Sequence, residues 1–130
     1  MSDTISEFLT RVRNAGAAKH EKVDVPASKV RVGLAEILVN QGLIRSFKVA
    51  KDSKQGIMRV YLKYDEHGNH AISSIQRVSR PGRRVYVKSL EIPVVRSGLG
   101  MSIISTSQGL MSNRDAQKKN LGGELVCKLW

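Results

Sequence analysis

The sequence predicts an α+β fold in two small lobes: an N-terminal α-β-α-β-β unit and a C-terminal unit of mainly antiparallel β with one short helix. Three observations lead there. Apolar residues recur at helical spacing twice before residue 40 and alternate at strand spacing through most of the remaining chain. A polar turn cluster, Asp65-Glu66-His67-Gly68-Asn69, interrupts the pattern near the middle and marks a boundary between residues 1–66 and 67–130. And 130 residues, 41% hydrophobic, can bury one modest core or two small ones without a disulfide or metal.

The first helix is expected from about Ile5 to Ala15, stopped near Gly16. Thr4 followed by Glu7 has the spacing of a capping box, and Ile5, Phe8, Leu9 and Val12 share one helical face. Val23 and Val25 alternate with Lys22 and Asp24 before Pro26, as a short edge strand does. Ser28 caps a second helix with Val30, Leu34, Ile37 and Leu38 on one side, ended by Gly42. Phe47 and Val49 open a strand, Lys51 to Gly56 turn it, and Met58, Val60 and Leu62 alternate in its partner.

Beyond the boundary, Ala71–Ser79, Arg84–Lys88, Met101–Thr106 and Glu124–Trp130 read as strands. Arg80-Pro81-Gly82 is a tight turn, and Leu90–Ile92 reads as one helical turn ahead of Pro93. Asn113 caps a short helix through about Lys119, closed by Asn120-Leu121-Gly122-Gly123. There is neither an internal repeat nor a low-complexity segment.

Charge indicates the class of partner. The net charge is +11, a field that favours polyanions and speeds their encounter. It is unevenly spread: residues 1–66 hold twelve Lys/Arg against eight Asp/Glu, whereas 67–114 hold seven against the single acid Glu91. The arginine-rich half reads as strands and turns, not as the basic amphipathic helix that a membrane surface takes. No apolar run approaches the ~20 residues of a spanning helix, and the start Met-Ser-Asp-Thr lacks a signal-peptide pattern. A lone cysteine forms no internal disulfide, which points to an intracellular, reducing compartment.

Nothing in the chain points to catalysis. His67-Gly68-Asn69-His70 has too few ligands for a zinc site and reads as a solvated turn. Cys127 alternates with Leu125 and Leu129, so it either packs as a small hydrophobe or sits beside a partner surface. Gly98-Leu99-Gly100 lacks the third glycine of a dinucleotide fingerprint, and a phosphate-loop motif is absent. No catalytic residue, metal, cofactor, membrane or small-molecule substrate is expected.

A binding constellation is better supported. Ser105, Thr106 and Ser107 stand at the end of an apolar strand, before Gly109 and in the same lobe as the arginines. Such triplets are common turn formers, but hydroxyls and amides are also the groups that contact phosphate and ribose. Gly98/Gly100 and Gly122/Gly123 bracket the triplet and permit close backbone approach to a partner. If Val85 and Val87 face the core, Tyr86 between them is exposed and free to stack on a base. At 5% aromatic the chain is unsuited to a broad stacking platform, so shape and backbone recognition of a folded RNA fits better.

Four segments in register, Phe8 to Ala15, Ser28 to Arg31, Ser74 to Gly82 and Gly98 to Trp130, resemble bacterial ribosomal small-subunit protein eight. Ser105-Thr106-Ser107-x-Gly109 is that family's hallmark segment. The resemblance implies a two-domain structural protein of the small ribosomal subunit that binds the central domain of small-subunit (16S) rRNA and helps assembly beside neighbouring ribosomal proteins. It also implies feedback repression through the messenger RNA of its own operon, which as a main role is the alternative reading. Carried over, the RNA contacts fall on Ser105, Thr106 and Ser107, on Tyr86 and Lys88, and on Gly122, Gly123 and Glu124. Lys29 and Arg31 match the family's basic pair at the second helix start; from the charge of the C-terminal half alone, Arg83 and Arg84 are expected as further phosphate contacts. Glu124 is expected to accept bonds from base amino groups or ribose hydroxyls. The sequence departs from the family at Gln108, often basic, at Asn113, where Asp is common and the helix cap is kept, and at Lys128, where an aromatic is frequent.

Overall fold

In the computed structural model, which describes residues 2–51, 55–95 and 100–130, the chain separates into two compact units, Asp3–Ser73 and Ser74–Trp130. The expected α+β mixture is present, with both larger helices in the first unit and one short helix beside the sheet of the second.

The first unit runs α1 (Ser2–Ala17), β1 (Lys22–Pro26), α2 (Lys29–Asn40), β2 (Ile44–Ala50) and β3 (Ile57–Leu62). Its antiparallel sheet has the order β1-β3-β2, leaving β1 at an edge as its terminal proline requires. Met58, Val60 and Leu62 are buried on one face, and Phe8, Leu9, Val12, Leu34 and Leu38 are buried on the helices. Each large apolar side chain so buried contributes about 1.5–3 kcal/mol. Ser28 caps α2 as expected: its Oγ accepts from the Arg31 N–H at 3.1 Å. Gly42, at φ +73°, ends that helix, and the next amide, Leu43, donates to the Leu38 carbonyl at 2.8 Å. The turn expected at Lys51 to Gly56 includes residues 52–54, outside the described residues.

α1 differs from expectation at both ends. It starts at Ser2, so Thr4 lies within the helix and is not its cap, and it continues past Gly16 to Ala17. Gly16 is a packing site: a Cβ there would lie 2.2 Å from the His70 ring. The helix closes instead at Lys19, which has φ +62°, with the His20 N–H donating to the Ala15 carbonyl at 3.0 Å. The Asp65–Asn69 cluster is a closed turn in the same unit, with Asp65 Oδ1 accepting from the His67 and Asn69 amides at 2.8 Å each.

The second unit comprises β4 (Ile75–Arg77), β5 (Tyr86–Val87), a 3-10 turn (Ser89–Glu91), β6 (Met101–Thr106), β7 (Gly109–Ser112), α3 (Asn113–Lys118) and β8 (Gly123–Leu129). The sheet order is β4-β8-β6-β7, with β5 also paired to β8. Ile92, Ile104, Met111, Ala116 and Leu125 form its core cluster, with Val85 and Val87 packed against it. The strands expected over Ala71–Ser79 and Arg84–Lys88 are cut to three and two residues. Both depend on β8: pairing ends where Ser74 meets Trp130, and β5 reaches only Gly123 and Glu124. Strand β7 is not evident in the sequence, because Ser-Gln-Gly reads as loop yet makes a two-residue hairpin turn. Thr106 pairs directly with Gly109, whose φ of +106° lies in the region that favours glycine. The cap of α3 is Ser112, whose Oγ accepts from the Asp115 N–H at 3.2 Å. Asn113 instead accepts from the Ser102 N–H at 3.2 Å, which corrects its expected role as the cap.

Candidate nucleic-acid interface

Strand β8 brings the expected residues into register. Glu124 is paired with Tyr86 on one side and with Ser105 on the other. Directly opposed residues share a face, and strands lie about 4.8 Å apart, so Tyr86, Glu124 and Ser105 form one row roughly 10 Å long. The neighbouring pair Ile104 and Leu125 is buried on the opposite face in the core cluster. The alternation that packs the partly buried Val85 and Val87 against the core therefore turns Tyr86 outward, where it is 70% exposed.

The three hydroxyls beside this row differ in availability. Thr106 Oγ1 donates to the Gly109 carbonyl at 2.8 Å and accepts from the Gln108 N–H at 3.1 Å. It therefore fastens the hairpin, and its proton is already committed. Among the described residues the Ser105 and Ser107 hydroxyls make no hydrogen bond within the chain, and Ser107 is exposed on the hairpin turn.

Gly122 and Gly123 are where β5, β6 and β8 converge. A Cβ on Gly122 would lie 2.4 Å from the Val87 carbonyl oxygen, and one on Gly123 would lie 2.1 Å from that of Ser105. At both positions the chain closely approaches its own backbone. These glycines draw Val87-Lys88 and Ser105-Thr106 against one backbone segment. Gly98 lies outside the described residues, and Gly100 is likewise packed internally, a Cβ there falling 2.6 Å from the Leu129 carbonyl oxygen.

Glu124 also has partners of its own. Its Oε2 accepts from the buried Ser79 hydroxyl and pairs with Arg84 Nη1 at 2.9 Å. The Ser79 hydroxyl, followed by the Arg84 guanidinium, holds this carboxyl below its ordinary value against the opposing effect of burial. Ser79 Oγ in turn accepts from the Val85 N–H at 3.2 Å. Within the chain Glu124 therefore anchors Arg84 and the start of β5 through Oε2. Ser79 carries no distinctive sequence signal, because one serine at a strand end looks like any turn former.

Arg80-Pro81-Gly82-Arg83 closes a turn with Gly82 at φ +81° and paired Arg80 and Arg83 backbones, as Pro and Gly at these positions favour. Arg83 and Lys88 are exposed and form no ion pair among the described residues, whereas Arg84 is partly neutralised by Glu124. Lys29 and Arg31 lie in the other unit, in the first turn of α2. There Ser28, Lys29, Val32, Gly33 and Gln55 border a shallow cavity of about 450 Å³.

Two expectations away from the row are resolved. His67 is exposed, but His70 is half-buried: its Nδ1 lies 3.1 Å from the Ile72 carbonyl oxygen, its ring packs on Tyr64, and burial lowers its pKa. It is thus not part of a solvated turn. Cys127 is buried, which pushes its thiol up to about 12, so it packs as a small hydrophobe. Among the described residues no group of three or more His, Cys, Asp or Glu is placed to hold a metal ion, and no helix is long and apolar enough to cross a membrane.

A family model described as Ribosomal protein S8 matches residues 3–130. The chain is 77% identical over 128 residues to small ribosomal subunit protein uS8 of Bdellovibrio bacteriovorus, covering 98% of this chain and 99% of that protein. It is 52% identical to uS8 of Geotalea daltonii over 130 residues, covering 100% and 98% of the two chains. Against uS8 of Streptococcus thermophilus the identity is 50% with the same coverage.

Proposed function

The chain belongs to the ribosomal protein S8 family, and on that premise we propose that it is a structural constituent of the small ribosomal subunit, located with the ribosome in the cytoplasm, that binds the central domain of small-subunit rRNA directly. It is a ribosomal protein and not an enzyme. The observation that carries the RNA reading is the row on β8, where an exposed tyrosine ring and the uncommitted Ser105 hydroxyl flank Glu124.

Each part has a chemical role. Ser105 and Ser107 are free to donate to and accept from ribose hydroxyls and base edges, which is how the wide minor groove of an RNA helix is read. Tyr86 offers its face to one unstacked base, as in an internal loop. Arg83 and Lys88 supply charge for phosphates at the rim, positioning without reading sequence. Lys29 and Arg31 do the same from the first unit, where Ser28 leaves amides of the α2 start available to an anion. Specificity then resides in residues 74–130, and the first unit adds affinity through phosphates.

Beside neighbouring ribosomal proteins, the chain helps assemble the subunit by holding this rRNA helix in shape. A surface that reads a helix by shape also accepts a messenger-RNA element of the same form, which extends the reading to feedback repression of its own operon. Chemical footprinting of the protein on naked small-subunit rRNA tests the main claim. Protection confined to one irregular helix of the central domain supports it; uniform weak protection across the rRNA refutes it. Competition by the operon RNA for the same protection tests the extension.

A further inference from the structure

The first unit's sheet has a second face that this function leaves unused. Opposite the buried Met58, Val60 and Leu62, register places Lys22, Tyr61 and Ser46 in one row and Asp24, Arg59 and Lys48 in the next. Arg45 and Lys48 stand beside the Tyr61 ring, the guanidinium carbon 5.4 Å and the ammonium 6.0 Å from its centroid. Arg59 is taken up by Asp24, through bonds of 2.8 and 3.1 Å. Arg45 meets an acid only at 4.0 Å, in Glu21, and both side chains are more than half exposed. Lys22 and Lys48 form no ion pair among the described residues. The face is also concave, a hollow of about 380 Å³ bordered by Lys48, Val49, Ile57, Arg59 and Tyr61.

We infer that this face binds a second segment of RNA, with phosphates held by Arg45, Lys48 and Lys22 and a base or ribose set against Tyr61. An aromatic ring beside cations that outnumber their acids is the recurrent arrangement for a nucleic-acid strand, because stacking and phosphate contact act together. Charge favours a polyanion, since four cations face two acids here and only Asp24 holds its cation closely. An acidic protein segment would satisfy the charges but leave the ring without purpose. The choice of RNA rests on the function proposed above. The face shares no residue with the Tyr86–Ser105 row, because every residue of it belongs to the first unit.

The test uses the full chain and two RNAs, the isolated central-domain helix and complete small-subunit rRNA. The double variant Arg45→Gln, Lys48→Gln is expected to bind the isolated helix as the wild type does. On complete rRNA at moderate salt it should bind roughly five- to tenfold more weakly, with the log–log salt slope shallower by about 1.5, as two phosphates are no longer neutralised. Wild-type affinity and slope on both RNAs would overturn the inference and leave the proposed function standing. A variant that binds naked rRNA normally but joins protein-loaded subunits poorly would overturn it in favour of an acidic protein partner. Failure of the wild type to bind either RNA would remove the underlying function as well. Acetylation of the wild-type protein gives a check independent of the variant's folding. Lys48 should be protected in the complete-rRNA complex and reactive in the isolated-helix complex, and reactivity in both would overturn the inference.

Discussion

Ser79→Ala is expected to destabilise the protein far more than a serine at a strand end ordinarily would. The side chain is fully buried and makes two bonds: it donates to the ionised Glu124 and accepts from the Val85 N–H at 3.2 Å. A hydrogen bond to a charged group is worth about 1.5–3 kcal/mol, and a partly buried amide left without a partner costs about 1–3 kcal/mol. The two losses share one atom and do not simply add, so the expected destabilisation is about 2–4 kcal/mol. At roughly 4–8 °C per kcal/mol for a domain of this size, the melting temperature should fall by on the order of 10 °C or more. Urea denaturation followed by circular dichroism reads the change directly. A double-mutant cycle with Glu124→Gln isolates the shared term, and a coupling of about 0.5–3 kcal/mol is expected for groups in one network. A loss under about 0.5 kcal/mol, or a coupling of zero, would refute the view that Ser79 and Glu124 together anchor Arg84 and the start of β5.

Three further outcomes rest on the same geometry. Because the Ser79 hydroxyl and then Arg84 lower the Glu124 pKa, this carboxylate adds stability above the ordinary carboxylate range, and that stability disappears as pH falls through it toward the lowered folded value. Wild-type protein should thus lose more stability between about pH 6 and pH 3 than Glu124→Gln, and equal losses would contradict the assignment. The Cys127 thiol, buried and raised to about 12, should resist an aromatic disulfide reagent at about pH 8 until the protein is unfolded; rapid native-state reaction would place it at the surface. Replacing Arg83 and Lys88 with Gln should flatten the salt dependence of RNA binding by roughly 0.7–0.9 for each phosphate released, while Arg84→Gln should flatten it less because Glu124 already balances its charge. An equal effect from all three residues would show that the Arg84–Glu124 pair opens on binding.

Sequence periodicity identifies the elements with long, unambiguous patterns. The alternation of Met58, Val60 and Leu62 and the Ser28 cap appear in the structure where they are expected, and β6 begins at Met101 and ends at Thr106 as its apolar pattern indicates. The shortfalls have a common cause in long-range pairing. Strands β4 and β5 are short because their length is set by how far β8 extends, which no local pattern encodes. Strand β7 is hidden by turn residues that make a tight two-residue hairpin instead of a loop, with Gly109 at positive φ. At the site, the exposure of Tyr86 is legible from alternation alone. The internal work of Thr106, Glu124 and the glycine pair is not legible, because a hydroxyl, a carboxylate or a missing side chain looks the same in sequence whether its partner is the chain or a ligand.

The central claim, that the β8 row reads RNA, is tested most directly by the double variant Ser105→Ala, Ser107→Ala. Its affinity for the central-domain rRNA helix is compared with that for a scrambled helix of equal length, at one fixed salt concentration. Neither hydroxyl bonds within the chain among the described residues, so the substitution should leave the fold and its melting temperature unchanged. The predicted result is a loss of about 1–3 kcal/mol on the cognate helix, a factor of roughly 5 to 150, with binding to the scrambled helix unaltered. Undiminished preference for the cognate helix in a variant with an intact fold would contradict the account.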